Sequence, residues 1–224
     1  MKVEMVSRTI GVGKYADLNS EEIISAIARH GTIKNDNGKL VKYLMTNLHW
    51  SPLDMINFTF EIETSLSIGR QLLRHSSIKP QEFSGRYAEA PGFEPIELRK
   101  EDTVNRQSST EVFDPEIPIA PGHENVVKAS ELIKTLIERT EQLYQELLKA
   151  GVAKECARFI LPNCTTTILS FNGTLRSWLA LLNVRCDHHA QLECRQIATL
   201  IGEALEKELP NVFSIIDWKK GMFM

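Results

Sequence analysis

The sequence predicts an α+β fold in a single domain spanning 1–224, with a mainly antiparallel sheet flanked by helices and a helical C-terminal half. Three observations lead there. Between 57 and 63, Phe58, Phe60 and Ile62 alternate with Asn57, Thr59 and Glu61, the period of a half-buried strand. A second two-residue period follows Pro80, where Glu82, Ser84 and Arg86 alternate with Phe83, Gly85 and Tyr87. The later chain changes to a helical period, with Leu132, Ile133, Leu136, Ile137, Leu143, Tyr144, Leu147 and Leu148 on one stripe that stops at Gly151.

Residues 20–30 and 39–47 have helical composition and are separated by a turn at Asn35-Asp36-Asn37-Gly38. The strand at 57–63 comes next, then a short helix over 66–76 and the second strand over 81–88. From Ala90 to Gly122 prolines and glycines recur, which reads as a long surface excursion and not a domain linker. After the 132–148 stripe, two further helices are expected over about 173–184 and 188–208, the last ended by Pro210, and Trp178 is read as core. There are no internal repeats or low-complexity tracts.

Composition narrows the function classes. A chain of 224 residues can bury a substantial core. A net charge of −3 with mixed signs argues against a nucleic-acid partner, whose binding rests on a basic surface. No apolar signal region stands at the N-terminus, and no apolar run approaches the roughly 18 residues of a membrane helix, so a cytoplasmic protein is expected. Cys156, Cys164, Cys186 and Cys194 lack zinc-site spacing and are expected as reduced thiols.

The run from Arg70 to Tyr87 carries the chemistry. Arg70 and Arg74 sit four apart, so on a helix they share a face with Gln71 beside them. An extended 82–86 segment would aim a carboxylate, a hydroxyl and a guanidinium at one side. Forked cations beside hydroxyl and amide donors suit phosphates and planar heterocycles, although a run of this composition also fits a solvated, salt-bridged face.

The order of residues resembles the RHRxxSxNxxSxR signature of flavin-dependent thymidylate synthases, read here as Arg74-His75-Ser76-Ser77-Ile78-Lys79-Pro80-Gln81-Glu82-Phe83-Ser84-Gly85-Arg86. Ser76 replaces the third basic residue, Lys79 the first serine and Gln81 the asparagine. His49-Trp50-Ser51-Pro52-Leu53-Asp54-Met55-Ile56-Asn57-Phe58-Thr59-Phe60 is similar to an upstream block of the family, with Met55 in place of its second histidine. Ala157-Arg158-Phe159-Ile160-Leu161-Pro162, then Leu175-Arg176-Ser177-Trp178, Arg185 and His189-Ala190-Gln191-Leu192-Glu193 follow at the family's separations. Asn105-Arg106-Gln107-Ser108-Ser109 is faintly similar to a polar loop of the family.

The resemblance implies reductive C5-methylation of dUMP to dTMP, with methylenetetrahydrofolate as carbon donor and NADPH-reduced FAD as hydride source, and with no enzyme nucleophile. For dUMP it points to Gln71, Arg74, Glu82 and Ser84, together with Gly85, Arg86, Arg158 and Arg185. Arg185 is expected to stabilise charge developing on the pyrimidine, and Ser84 to position it. For FAD it points to His49, Ser51, Arg74, His75 and Glu82, with Arg176 and with Thr174 where the family usually has asparagine. Ser76 removes a donor from that pocket, and Lys79 is expected to restore the charge. No metal is expected, the Asp187-His188-His189 run notwithstanding, because the family site uses none. The resemblance also implies a homotetramer with active sites shared between subunits. Two other readings stay open: flavin-dependent modification of another pyrimidine nucleotide such as UMP, and a non-catalytic nucleotide-binding relative.

Overall fold

The computed structural model describes residues 1–105, 107–221 and 223. Arg106, part of the expected polar loop, lies outside the described residues. The chain is α+β, and it divides into two compact units. The first comprises Met1–Glu63, Gln71–Gln81 and Leu169–Met224; the second comprises Thr64–Arg70 and Glu82–Ile168.

The first unit holds most of a four-stranded sheet made by β1 (Lys2–Arg8), β2 (Asn57–Ser65), β3 (Lys79–Glu82) and a strand over Thr166–Thr174, named β8 below; its order is β1-β2-β8-β3. β1 and β2 are antiparallel, with Val3 opposite Ile62 and Met5 opposite Phe60. Alternation then sends Phe58, Phe60 and Ile62 into the core, all with no exposure. β3 is an edge strand, and an edge is where Pro80, lacking an N–H, is tolerated.

Helix α1 (Ser20–Ala28) starts on a capping box in which Asn19 accepts from the Glu22 backbone and Glu22 answers to the Asn19 N–H. Helix α2 (Lys39–Thr46) follows a left-handed Gly38. Short α3 (Leu66–Leu72) leaves the end of β2, and its last residues, Gln71 and Leu72, belong to the first unit.

The second unit carries two small antiparallel hairpins, β4 (Arg99–Glu101) with β5 (Ser109–Val112) and β6 (Glu116–Pro118) with β7 (Val126–Lys128). After them come the long α4 (Ala129–Lys149) and the single turn α5 (Lys154–Ala157). Asp114 takes both the backbone N–H and the hydroxyl of Ser130, capping α4 from outside. The apolar stripe on α4 is partly covered within the chain: Tyr144 is buried, Leu132, Ile133, Ile137, Leu147 and Leu148 are half-buried, and Leu136 and Leu143 are 64% and 53% exposed.

Back in the first unit, α6 (Leu175–Arg185) leaves β8 with Thr174 as its N-cap, then come α7 (Leu192–Glu208) and α8 (Pro210–Phe213). Trp178 is fully buried, as expected, stacking edge-on against Phe60 at 4.9 Å and donating its indole N–H to the Phe58 carbonyl at 3.1 Å. Helix α7 packs on β1 and α6 through Ile197, Ile201 and Leu205. Gly202 lets Trp218 reach the α7 backbone, since a β-carbon there would lie 2.1 Å from the indole ring. Among the described residues, no helix is long and apolar enough to cross a membrane.

Several local expectations are corrected or refined. The strand expected over 81–88 ends at Glu82, because the Ser84 carbonyl accepts from Tyr87 N (3.0 Å) and Ala88 N (3.2 Å), closing a Ser-Gly turn. The helix over 66–76 stops at Leu72, with hydrogen-bonded turns continuing to Ile78. The 90–122 excursion contains the strands of both hairpins except β7. The helix expected from 188 begins only at Leu192, and β1 and β8 appear where no strand was anticipated.

Candidate functional site

In the first unit, the site grows from the end of α6. Arg185 is the last residue of that helix, where a cation complements the helix dipole. Its Nε donates to His75 Nε2 at 2.9 Å and its Nη2 donates to the Gln71 carbonyl at 2.7 Å. Two anchors fix the half-buried guanidinium plane. Among the described residues its other N–H groups make no hydrogen bond, so they remain for a ligand. Burial, and then the Arg185 charge, push His75 from 6.5 down to about 4, so the ring is neutral near pH 7. Because Nε2 accepts, the ring proton belongs on Nδ1. Gln71 is held in turn, its Nε2 donating to Gln191 Oε1 at 2.6 Å.

The segment leading into β3 displays Arg74, Ser76 and Lys79 to solvent. Lys79 Nζ stands 3.4 Å from the Ser76 carbonyl. The ammonium therefore sits beside the position whose side-chain charge is missing.

A second cluster of the first unit surrounds Asp54. The α2 helix closes with His49 N bonded to the Leu44 carbonyl (2.8 Å) and Leu48 N bonded to the Met45 carbonyl (3.2 Å). That pattern requires Leu48 in the left-handed region at φ 58°, and it presents His49 to solvent against the Tyr43 ring. Ser51 opens a 3₁₀ turn, Ser51–Met55, and is exposed. Asp54 in that turn accepts from Thr174 Oγ1 at 3.1 Å and from Arg176 Nη1 at 3.2 Å. The Thr174 hydroxyl also accepts the Ser177 N–H, so it is committed to structure on both sides.

In the second unit a cleft of about 400 Å³ is lined by Arg70, Glu82, Gly85, Tyr144, Arg158 and Thr167, among others. Glu82 accepts from Thr167 Oγ1 at 3.2 Å, and Arg70 donates to Asn163 Oδ1 at 2.9 Å. Gly85 lies next to the Arg158 stem, where a β-carbon would make an ordinary 3.6 Å contact with Arg158 Cδ. Arg86 pairs with Glu155 at 3.4 Å on the exposed surface, a bond weak enough for a phosphate to displace. Ser84 is half-buried at the head of its turn, and Lys154 Nζ donates to the Tyr87 carbonyl at 3.2 Å.

The structure thus brings Gln71, His75 and Arg185 together, and in the second unit Glu82, Gly85 and Arg158. Arg176 and Thr174 meet at Asp54, while Arg74 and Ser51 stand exposed. Sequence reasoning passed over Asp54, Gln191 and Thr167, and gave Arg70 a helix face shared with Arg74 but no ligand. Asp54 and Gln191 lie inside the quoted blocks, so a signal was present for both.

Comparison with known proteins adds a family. The family described as "Thymidylate synthase complementing protein" matches residues 12–211. The chain is 38% identical over 205 residues to the "Flavin-dependent thymidylate synthase" of Synechocystis sp., covering 90% of this chain and 91% of that protein. It is 36% identical over 207 residues to the "Probable flavin-dependent thymidylate synthase" of Paramecium bursaria Chlorella virus 1, covering 89% and 91%. Against the "Flavin-dependent thymidylate synthase" of Kosmotoga olearia it is 37% identical over 177 residues, covering 78% and 74%.

Proposed function

Because the chain belongs to the family of flavin-dependent thymidylate synthases, we propose that it converts dUMP to dTMP, taking the carbon from methylenetetrahydrofolate and the hydride from FAD reduced by NADPH. The observation that carries this reading furthest is the double anchoring of Arg185 by His75 and the Gln71 carbonyl.

Pyrimidine C5 is a weak nucleophile, and adding electron density to the ring to activate it places negative charge on the carbonyl edge. Arg185 is placed to stabilise that charge with N–H groups already fixed in plane, so little reorganisation accompanies the reaction. A neutral His75 holds the guanidinium without adding a second cation beside it. Gln71, Arg74, Ser84, Gly85, Arg86 and Arg158 bind the nucleotide, the arginines suiting its phosphate. Ser84 positions the base, and Glu82 contributes to both ligands.

The donor set fits a flavin dinucleotide. His49, Ser51, Arg74, His75 and Arg176 offer donors to its phosphates and ring edges, with Thr174 beside Arg176 at Asp54. Lys79 supplies the charge that Ser76 lacks. The flavin, when bound, supplies a hydride that no side chain can give.

The chain crosses between its units at 63/64, 70/71, 81/82 and 168/169, which supports one functional domain over 1–224. The exposed Leu136 and Leu143 of the α4 stripe support a homotetramer, and free Cys164, Cys186 and Cys194, all buried, support a reducing cytoplasm. The test is substrate choice: wild type turns over dUMP with FAD, NADPH and methylenetetrahydrofolate, and Arg185→Ala loses turnover by at least a hundredfold. Turnover of UMP instead of dUMP contradicts the substrate assignment. No turnover with any pyrimidine nucleotide contradicts the enzyme reading.

A further inference from the structure

The connection between α6 and α7 carries a group of side chains that the reaction does not use. Asp187, His188 and His189 each offer one ligand atom, and these atoms all lie within 4.8 Å of one another. His189 Nδ1 is 2.7 Å and His188 Nδ1 3.5 Å from the two carboxylate oxygens of Asp187. The two imidazole rings lie side by side at 3.7 Å.

We propose that Asp187, His188 and His189 form a binding site for a borderline divalent cation of the Zn²⁺ class. With metal–ligand bonds of about 2.1 Å, neighbouring ligands are about 3.0 Å apart in an octahedral shell and about 3.4 Å in a tetrahedral one. The 2.7 Å contact is a hydrogen bond to one carboxylate oxygen and the 3.5 Å contact reaches the other, so an ion replaces that hydrogen bond and draws together three ligand atoms that already lie within 4.8 Å. Two imidazoles and one carboxylate are a donor set suited to zinc, cobalt or nickel and poorly suited to calcium or magnesium.

The surroundings meet the other demands of such a site. The carboxylate is 11% exposed and is oriented by the His189 backbone N–H at 2.9 Å, an outer contact of the kind that fixes a ligand. Gly221 packs on the Asp187 backbone so closely that a β-carbon there would meet it at 2.6 Å, which holds the loop from behind. The imidazoles are open to solvent, 74% and 61% exposed, and His188 lines a cleft of about 780 Å³ through which a hydrated ion can approach. Three protein ligands leave coordination positions for water. An ion here clamps the loop that begins two residues after Arg185. From the sequence no metal is expected at this run, because the family site uses none; the convergence of the three ligand atoms shows only in the fold.

The experiment titrates tag-free protein with Co²⁺, reading visible d–d absorption and the thermal midpoint. Wild type is expected to take up one equivalent with a dissociation constant on the order of 10 µM, to lose it to Zn²⁺, and to gain several degrees in midpoint. His188→Ala removes an exposed ligand without touching the core and is expected to weaken binding at least tenfold. Asp187→Asn should do the same, and His123→Ala, an exposed histidine elsewhere, should change nothing. Equal Co²⁺ affinity in wild type and His188→Ala, or no uptake below 1 mM, overturns the proposal. Neither result depends on turnover, so the reaction stands or falls separately.

Discussion

The His75–Arg185 pair makes a prediction about stability as well as catalysis. His75 sits at about 4 in the folded protein against 6.5 for a free imidazole. The unfolded chain therefore takes up a proton that the folded chain resists, and stability falls as pH drops from 6.5 toward 4. Above pH 7 both states are neutral and the group contributes nothing. Between pH 7 and pH 5 the full shift would cost roughly 1.8 kcal/mol, and partial exposure of the ring to water reduces this to about 1 kcal/mol. The perturbation is His75→Gln, whose amide oxygen still accepts from Arg185 Nε but does not titrate. Urea unfolding at both pH values is measured for each protein, so that carboxylates common to both cancel. Wild type should lose about 1 kcal/mol more than the variant on going to pH 5. Equal losses would refute the buried, neutral histidine and the electrostatic half of the Arg185 argument with it.

Lys79→Ala should weaken FAD binding about fivefold, near 1 kcal/mol for one exposed charge on a phosphate, measured by fluorescence titration; unchanged affinity removes the compensation for Ser76. Asp54→Ala frees Arg176 and Thr174 and should also weaken FAD binding while leaving dUMP affinity intact, so an equal loss for both ligands would contradict its placement. Gly202→Ala forces a β-carbon into the Trp218 ring and should cost about 1–3 kcal/mol in denaturant unfolding, against no change if the contact is soft.

Periodicity made the core strand β2 and the helix α4 legible because apolar residues recur on one face of each, while α1 and α2 were legible from helical composition on either side of the Asn35–Gly38 turn. It failed at 82–88, where the same alternation of small polar and aromatic residues is spent on a turn through Ser84 and Gly85. The failure falls in the segment proposed to bind nucleotide, the kind of place where local pattern gives way to function. β8 does alternate, with Thr167, Leu169, Phe171 and Gly173 buried against the less buried Ile168, Ser170, Asn172 and Thr174, but threonine and glycine fill the outer buried positions, so only Leu169 and Phe171 carry an apolar signal. β1 was readable in Val3 and Met5 against Lys2 and Glu4, yet its partner lies more than fifty residues away at β2 and gives no local cue. The site residues were legible as a family order, but the bond from Arg185 to His75, 110 positions apart, belongs to the fold alone.

The most direct measurement is the folate product of an anaerobic reaction with FAD, NADPH, methylenetetrahydrofolate and dUMP. The account predicts tetrahydrofolate in step with dTMP, since the hydride comes by way of the flavin. Dihydrofolate in step with dTMP would make the folate itself the reductant and contradict it.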